Sequence, residues 1–510
     1  MKIPEKIVRS VFVLLSTQMA FGQPASLLAQ NSPAKGRRAA TIPAAPPVMN
    51  PLPVEMLAEL RPDAKQLLNV ADVKLLQFEP RDWNSEKLVD VTLDEQLHVA
   101  RLTPFTLRTA EFQVLVQDET GALNPAKPPA ALTYRGHLAA EPQSQVAASI
   151  IDGRTYMTIL RADGEVWNVQ PLAADDLRPG LPDNLHAVYK SRDVLGVEGT
   201  CGADARMLLN AQPNGGGDAN HDAPEGGPRG TSNQRCQIVF DTDVEFFQAN
   251  GSSISATIAD IEMIMNQVGL IYQNQVAISY YETGIIVRPA LPQPYTSTNS
   301  NTLLCQFGEF WNNNLSFFPR DVGQLFTGKD LDGTTVGLGW IGVICAGNFN
   351  NCNAAGSSLS YSLVQSRFST VLAARVQDTA HELGHNWNAC HCNTGGNCGG
   401  GTSNPGNCGI MTSGISGQAT FDAVALSAIT SWRDNAVCLD AWQNPTYVNW
   451  SYNGVSTGSF SQPWITVGSG VYSTLVGGEV RVQAGTYHEN LTINKSLTIN
   501  AVNGTVTIGN

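Results

Sequence analysis

The chain has 510 residues, 42% of them hydrophobic, which exceeds what one core needs and predicts roughly three or four domains. Its formal net charge of -13 and the lack of any Lys and Arg cluster exclude a nucleic-acid partner, because a phosphate-binding surface needs concentrated positive charge. Only 15% of residues are charged while glycines number 47, a balance that suits an extracellular protein rich in loops and β-structure.

At the start, Lys2, Lys6 and Arg9 precede the apolar run Val11-Phe12-Val13-Leu14-Leu15, and Ala20 and Gly22 follow at the spacing a signal peptidase accepts. This predicts a signal peptide over 1–22 and a secreted, extracellular product. The apolar stretch is about ten residues where a spanning helix needs about twenty, and no later segment reads as long and apolar enough to cross a bilayer. Ten cysteines, nine between Cys236 and Cys438 and the tenth at Cys201, agree with an oxidising compartment.

Residues 23–53 are Pro- and Ala-rich without apolar periodicity and read as a flexible leader. Alternating runs such as Phe112-Gln113-Val114-Leu115-Val116 and Tyr156-Met157-Thr158-Ile159-Leu160 make 54–209 a β-rich domain. Its scattered His98, His137 and His186 lack a neighbouring acid or second ligand in sequence and are assigned no catalysis. Residues 210–235 carry Pro213-Asn214-Gly215-Gly216-Gly217 and Glu225-Gly226-Gly227-Pro228-Arg229-Gly230, a composition that cannot bury a core and that proteases cut readily.

From 236 to 442 both periodicities occur. Ile254, Ile258, Ile261, Met265, Val268 and Tyr272 recur at helical steps, strands are predicted at Cys236–Asp241, Val276–Tyr281 and Gly337–Ile344, and two more helices near 369–385 and 422–432. The predicted fold class is α+β, with a mixed sheet. Over 443–510 short β runs, Gly478-Glu479-Val480-Arg481-Val482, Leu491-Thr492-Ile493-Asn494 and Leu497-Thr498-Ile499-Asn500, read as rungs of a short parallel β-helix, similar at Gln483–Glu489 to the opening of pectate-lyase-like β-helices. A stack that short needs either further rungs after Asn510 or support from the domain before it.

The chemistry concentrates in His381-Glu382-Leu383-Gly384-His385. Two imidazoles four residues apart on a helix point the same way and can share one metal. His391 follows, and a third ligand so far along requires a sharp turn near Asn388, a residue that tolerates positive φ. Three histidine ligands leave a fourth tetrahedral position open, the mark of a catalytic zinc site, and Glu382 stands where a general base for water is needed.

The stretch His381–His391, with Met411 downstream, resembles a metzincin zinc metalloprotease of the reprolysin or adamalysin branch. The resemblance covers about Gln237–Leu439 and includes Gln324–Gly328 and Val336–Gly342 with Cys345, similar to the segment leading to that family's substrate-aligning edge strand. It implies an endopeptidase acting on proteins or peptides with one catalytic Zn2+, His381, His385 and His391 as ligands, Glu382 as base and Met411 in a turn beneath the metal. Calcium enters by the same analogy, although no acidic loop of suitable spacing is evident. Thr133–His137 and Val188–Val194 resemble the family's propeptide, so 54–209 reads as a propeptide and the protein as a zymogen. The sequence departs from the family at Asn388, where Gly is usual, and at Cys392, where adamalysins carry Asp.

Cys201-Gly202 stands where the family's propeptide cysteine occupies the open zinc position. The alternative is a Cys201–Cys236 disulfide, which lets all ten cysteines pair. The resemblance also implies Cys305 with Cys438, and pairing among Cys390, Cys392, Cys398 and Cys408. A different reading makes the chain a surface adhesin or carbohydrate-binding protein, with glycan contact through 443–510 and the protease domain a passive carrier; the complete ligand set and Glu382 speak against it.

Overall fold

A computed structural model describes residues 51–83, 86–172, 177–204, 207, 209, 234–347, 349, 352, 358–392, 408–436, 438–441, 445–453, 463–474, 478–489, 491, 493 and 497–509. The signal peptide over 1–22, most of the 23–53 leader, residues 210–233 of the linker and Cys398 lie outside them.

The chain opens with α1 (Val54–Leu68), a helix that the reading of 54–209 as β-rich did not anticipate. It forms because Leu60, Ala64 and Leu68 recur every fourth residue and bury one face, while Asn69 ends it in the left-handed conformation. Eleven strands follow: β1 (Lys74–Gln77), β2 (Arg81–Trp83), β3 (Glu86–Leu93), β4 (Gln96–Pro104), β5 (Arg108–Gln117), β6 (Leu123–Ala126), β7 (Thr133–Leu138), β8 (Glu141–Ile151), β9 (Arg154–Leu160), β10 (Val166–Pro171) and β11 (Leu185–Lys190). Nine of them form an antiparallel sheet in the order β1-β11-β10-β9-β8-β7-β4-β3-β2.

The other two, β5 and β6, leave that sheet for a second one. Its remaining strands are β12 (Thr200–Cys201), β13 (Gln234–Thr242), β14 (Ile278–Val287), β15 (Val322–Phe326), β16 (Thr335–Gly339) and β17 (Tyr361–Val364), in the order β12-β16-β17-β15-β13-β14-β5-β6. β18 (Asp440–Ala441) pairs with the start of β13. The sheet is mixed: β17, β15, β13, β14 and β5 run parallel, and β16 is antiparallel to β17. Strands from either side of the 210–235 linker thus share one sheet, because the alternating apolar residues of β5 match β14 in register.

Between the two sheets lies α3 (Ile254–Val276), which follows the short α2 (Val244–Ala249). Contrary to the expectation that no later segment has the length and apolarity of a membrane span, α3 meets both criteria. It is a core helix, buried nearly all round because β8 covers one side while β14 and α5 (Leu372–Asn386) cover the other. α4 (Ser300–Asn314) packs on β16 and β17, and α6 (Ala423–Asn435) meets α3. The predicted helices near 369–385 and 422–432 correspond to α5 and α6. The strand predicted at Gly337–Ile344 instead begins at Thr335 and ends at Gly339, where the chain turns away from β17. Near the C-terminus β19 (Thr446–Val448), β20 (Glu479–Tyr487) and β21 (Thr498–Ile508) pair in parallel around Val448, Val480 and Val482, with α7 (Val467–Ser473) packed beside them.

Three disulfides occur among the described residues: Cys305–Cys352, Cys345–Cys438 and Cys392–Cys408. They fit an oxidising compartment. The first two correct the expectation of Cys305 with Cys438. Cys305 lies on α4 with its Cα 5.0 Å from that of Cys352, and Cys345 is 5.3 Å from Cys438, both within bridging range. Cys201 and Cys236 are free and buried, so the alternative Cys201–Cys236 disulfide is not formed: Cys201 belongs to the apolar cluster around α4 and Cys236 to the one around α3.

Candidate metal centre

Every residue of α5 is buried. Its first turn has no cap of its own, and Gln170 of β10 supplies one: Gln170 Oε1 accepts from Leu372 N at 2.8 Å, while Gln170 Nε2 donates to Thr370 O at 2.9 Å. At the other end Asn388 takes φ 71, and the N–H groups of Asn388 and Ala389 return to the carbonyls of His385 and Gly384 at 2.8 and 2.9 Å. This is the turn that brings a third histidine back, made by Asn because its short side chain tolerates the left-handed region.

The result is a convergent triad. His381 Nε2 lies 3.0 Å from His385 Nε2 and 3.0 Å from His391 Nε2, and the last two are 3.2 Å apart. His381 Nδ1 faces Ile410 O at 2.8 Å and His385 Nδ1 faces Ala389 O at 2.7 Å. A carbonyl can only accept, so in both rings Nδ1 carries the proton and Nε2 presents a lone pair. Lone pairs aimed at one point repel unless a cation sits between them. Tetrahedral nitrogens about 2.0–2.1 Å from zinc would stand about 3.3 Å apart, close to the spacing found. Burial, then neighbouring histidines, lower the pKa of His381 to about 3 and of His385 well below its usual value, and burial lowers His391 to about 4, so all three rings are neutral donors at pH 7.

Cys201 completes a group of four. Its Sγ is 3.4 Å from His385 Nε2, and the four donor atoms lie within 4.8 Å of one another. Burial, and next the charge of Glu382, push the thiol's pKa well above its ordinary value; a divalent cation among the histidines would reverse that by favouring thiolate. The cysteine is delivered by β12, which runs along the outer edge of β16: Thr200 N donates to Thr334 O at 2.8 Å, Gly202 N to Gly337 O at 2.9 Å and Cys201 N to Ser413 O at 2.9 Å.

Glu382 is fully buried beside this group, and burial raises its pKa to about 8. One helical turn earlier is Asp378, also fully buried, whose pKa burial and then Glu382 push well above normal. Both carboxylates press against β16 at Gly337, where a Cβ would fall 2.5 Å from Glu382 Oε1 and 2.7 Å from Asp378 Oδ1, so a larger residue there would force both carboxylates to move. Asp378 was not among the residues predicted for the site, although its four-residue spacing to Glu382 puts it on the same helical face. Met411 is buried with its Sδ against Gly384, where a Cβ would come within 2.6 Å, and the preceding carbonyl, Ile410 O, is the one that orients His381.

Residues 232–422 match the Reprolysin_5 family model, metallo-peptidase family M12. This supports a metallopeptidase that works with zinc on protein substrates, and the M12 match spans the whole triad, Glu382 and Met411. Cys201 lies outside the M12 match and joins the cluster only in three dimensions. The other predicted-silent histidines stay outside it: His186 Nε2 accepts from Thr155 N at 3.0 Å, and His98 Nδ1 faces Glu141 at 3.6 Å. Among the described residues this is the one cluster of three or more metal-binding side chains, so nothing adds support for calcium.

Proposed function

We propose that the protein is a secreted zinc endopeptidase of reprolysin type, made as a zymogen, in which His381, His385 and His391 hold the metal and Glu382 is the general base. The observation that carries this reading is the convergence of three neutral Nε2 atoms within 3.0–3.2 Å beside a buried carboxylate. Bound zinc supplies Lewis acidity toward the scissile carbonyl and a water of lowered pKa. Glu382 would take a proton from the attacking water on a carboxylate oxygen and hand it to the departing amine nitrogen. Met411 packs beneath the triad and keeps the Ile410 carbonyl on His381. The edge of β16 would pair with an extended substrate through the same Thr334 and Gly337 carbonyls that β12 now uses.

Residues 54–209 then act as the propeptide, with Cys201 closing the fourth metal position until the linker is cut near Arg229, since Arg235, the other candidate, lies within β13. The three parallel strands β19–β21 are read as the opening of a β-helix, with a glycan as its candidate ligand. The test is zinc content and casein hydrolysis of the linker-cut protein beside Glu382→Ala. One zinc per chain in both, with hydrolysis only in the unsubstituted protein, is expected; absence of zinc refutes the reading.

A further inference from the structure

The segment ahead of the linker meets the rest of the chain in two unlike ways. The latch, Thr200–Ala203, lies on the sheet's outer edge: Thr200 and Gly202 pair with the β16 edge, Cys201 N donates to Ser413 O, and only Cys201 and Ala203 reach the apolar cluster around α4. The body, residues 54–190, is built into the second sheet and its core. We propose that cutting the linker frees only the latch, and that the body remains as a non-covalent subunit of the active enzyme. This rests on the zymogen reading above.

Three observations carry it. First, β5 is an internal strand: β14 pairs with it in parallel from Glu282↔Arg108 to Val287↔Val116, and losing it would open a long edge on β14. Second, the seam is core. Leu107, Val114 and Val166 belong to one buried apolar cluster with Ile258, Ile261 and Ile285. Buried polar groups also cross it: Arg135 Nε donates to Asn266 Oδ1 at 2.7 Å, Asn266 Nδ2 to Ala148 O at 2.8 Å, and Arg288 Nη1 to Gln117 Oε1 at 2.6 Å. Arg108 Nε reaches Glu262 at 2.5 Å and is the counter-charge for the buried pair Glu262 and Glu282. Separation would expose the apolar cluster and leave these groups without partners built to receive them. Third, the body's Gln170 caps the N-terminus of α5, the helix that carries His381 and His385, so a shed body would uncap the helix on which the metal centre is built. An obligate interface is apolar and continuous with a core in this manner, whereas a removable inhibitor need only cover the cleft.

The experiment uses the full chain in a Glu382→Ala background, so that the outcome does not depend on catalysis. A recognition site for a sequence-specific protease is placed in the linker, the chain is cut, and the product is followed by gel filtration in high salt, native mass spectrometry and hydrogen exchange. One complex holding both fragments is expected, with exchange at β14 and α3 unchanged and exchange at Thr200–Ala203 faster by at least tenfold. Separation of the fragments with the larger one still folded overturns the retained body. Co-elution with unchanged exchange at Thr200–Ala203 overturns the release of the latch. Arg135→Glu together with Gln117→Lys, which sets a like charge against Arg288, is expected to split the cut complex; continued co-elution of that folded variant would show that this seam is not what holds it. If the reading of the site as a zinc peptidase fails, it does so in zinc content and casein hydrolysis, which none of these readouts uses.

Discussion

The body and the latch are joined by a short stretch of one chain, yet they contact the rest of the protein with opposite economies. The body contributes strands, many core side chains and a helix cap; the latch contributes three backbone hydrogen bonds and two small buried side chains, Cys201 and Ala203. What differs is how much apolar surface and how many buried polar groups each contact commits. A contact made mostly of backbone pairing at an edge can be exchanged for another peptide, whereas a strand within a core cannot be withdrawn without exposing it.

The largest expected effect strikes the centre that the latch covers. His385→Ala removes one of three donors and should abolish both zinc binding and casein hydrolysis in the cut protein, measured by metal analysis and turnover. A chelator should strip zinc from the cut protein faster than from the uncut one, where Cys201 adds a fourth donor. Next, Glu382→Gln should retain zinc while lowering kcat by about 10²–10⁴, the range for removing a general base. Cys201→Ala should raise the activity of the uncut chain by at least about tenfold, equivalent to ~1.4 kcal/mol of latch affinity, and should lower its melting temperature only slightly, as the loss of one small buried side chain does. If the melting temperature falls sharply instead, the latch is structural and the contrast with the body collapses.

Effects on the body should appear in stability. Gln170→Ala removes the cap of α5 and should cost about 0.5–2 kcal/mol in denaturant unfolding, with zinc held less tightly. The pair Glu262 and Glu282 gives a pH test. Burial, and for Glu282 next the charge of Glu262, raise both pKa values above the ordinary 4.5. A carboxyl whose folded pKa is raised binds its proton more tightly in the folded state. Its contribution is therefore complete below 4.5 and is lost as pH rises through the raised value. Glu282→Gln should accordingly be most stabilising at neutral and alkaline pH and have little effect near pH 4, read as a melting-temperature difference that grows with pH. The smallest effect is expected from Arg154→Ala, which breaks an exposed ion pair with Asp183 and should change stability by no more than about 0.5 kcal/mol.

Much of the candidate metal centre was legible in the chain because it is local. His381, Glu382 and His385 share one helical face by spacing alone, and the turn needed to recover His391 was readable from Asn388, found at φ 71. Local periodicity also located α3, α5 and α6. It could not say that α3 is enclosed on both sides by sheets, since a run that is apolar all round fits a membrane span and a buried helix equally. Nor could it place β5, whose alternation fits any half-buried sheet and does not name its neighbour.

By itself the sequence determined the candidate donors and their order: three histidines, a carboxylate beside them and a methionine beyond, with side-chain chemistry and helical spacing as the cause. Tertiary structure alone decided which distant groups complete that site. Whether Cys201 faces Cys236 or His385, whether Cys305 pairs with Cys352 or Cys438, whether Gln170 caps α5, and whether β5 belongs to the first sheet or the second depend on contacts between residues far apart in the chain. Such contacts are selected by the burial and shape of the whole core, and no local spacing encodes them.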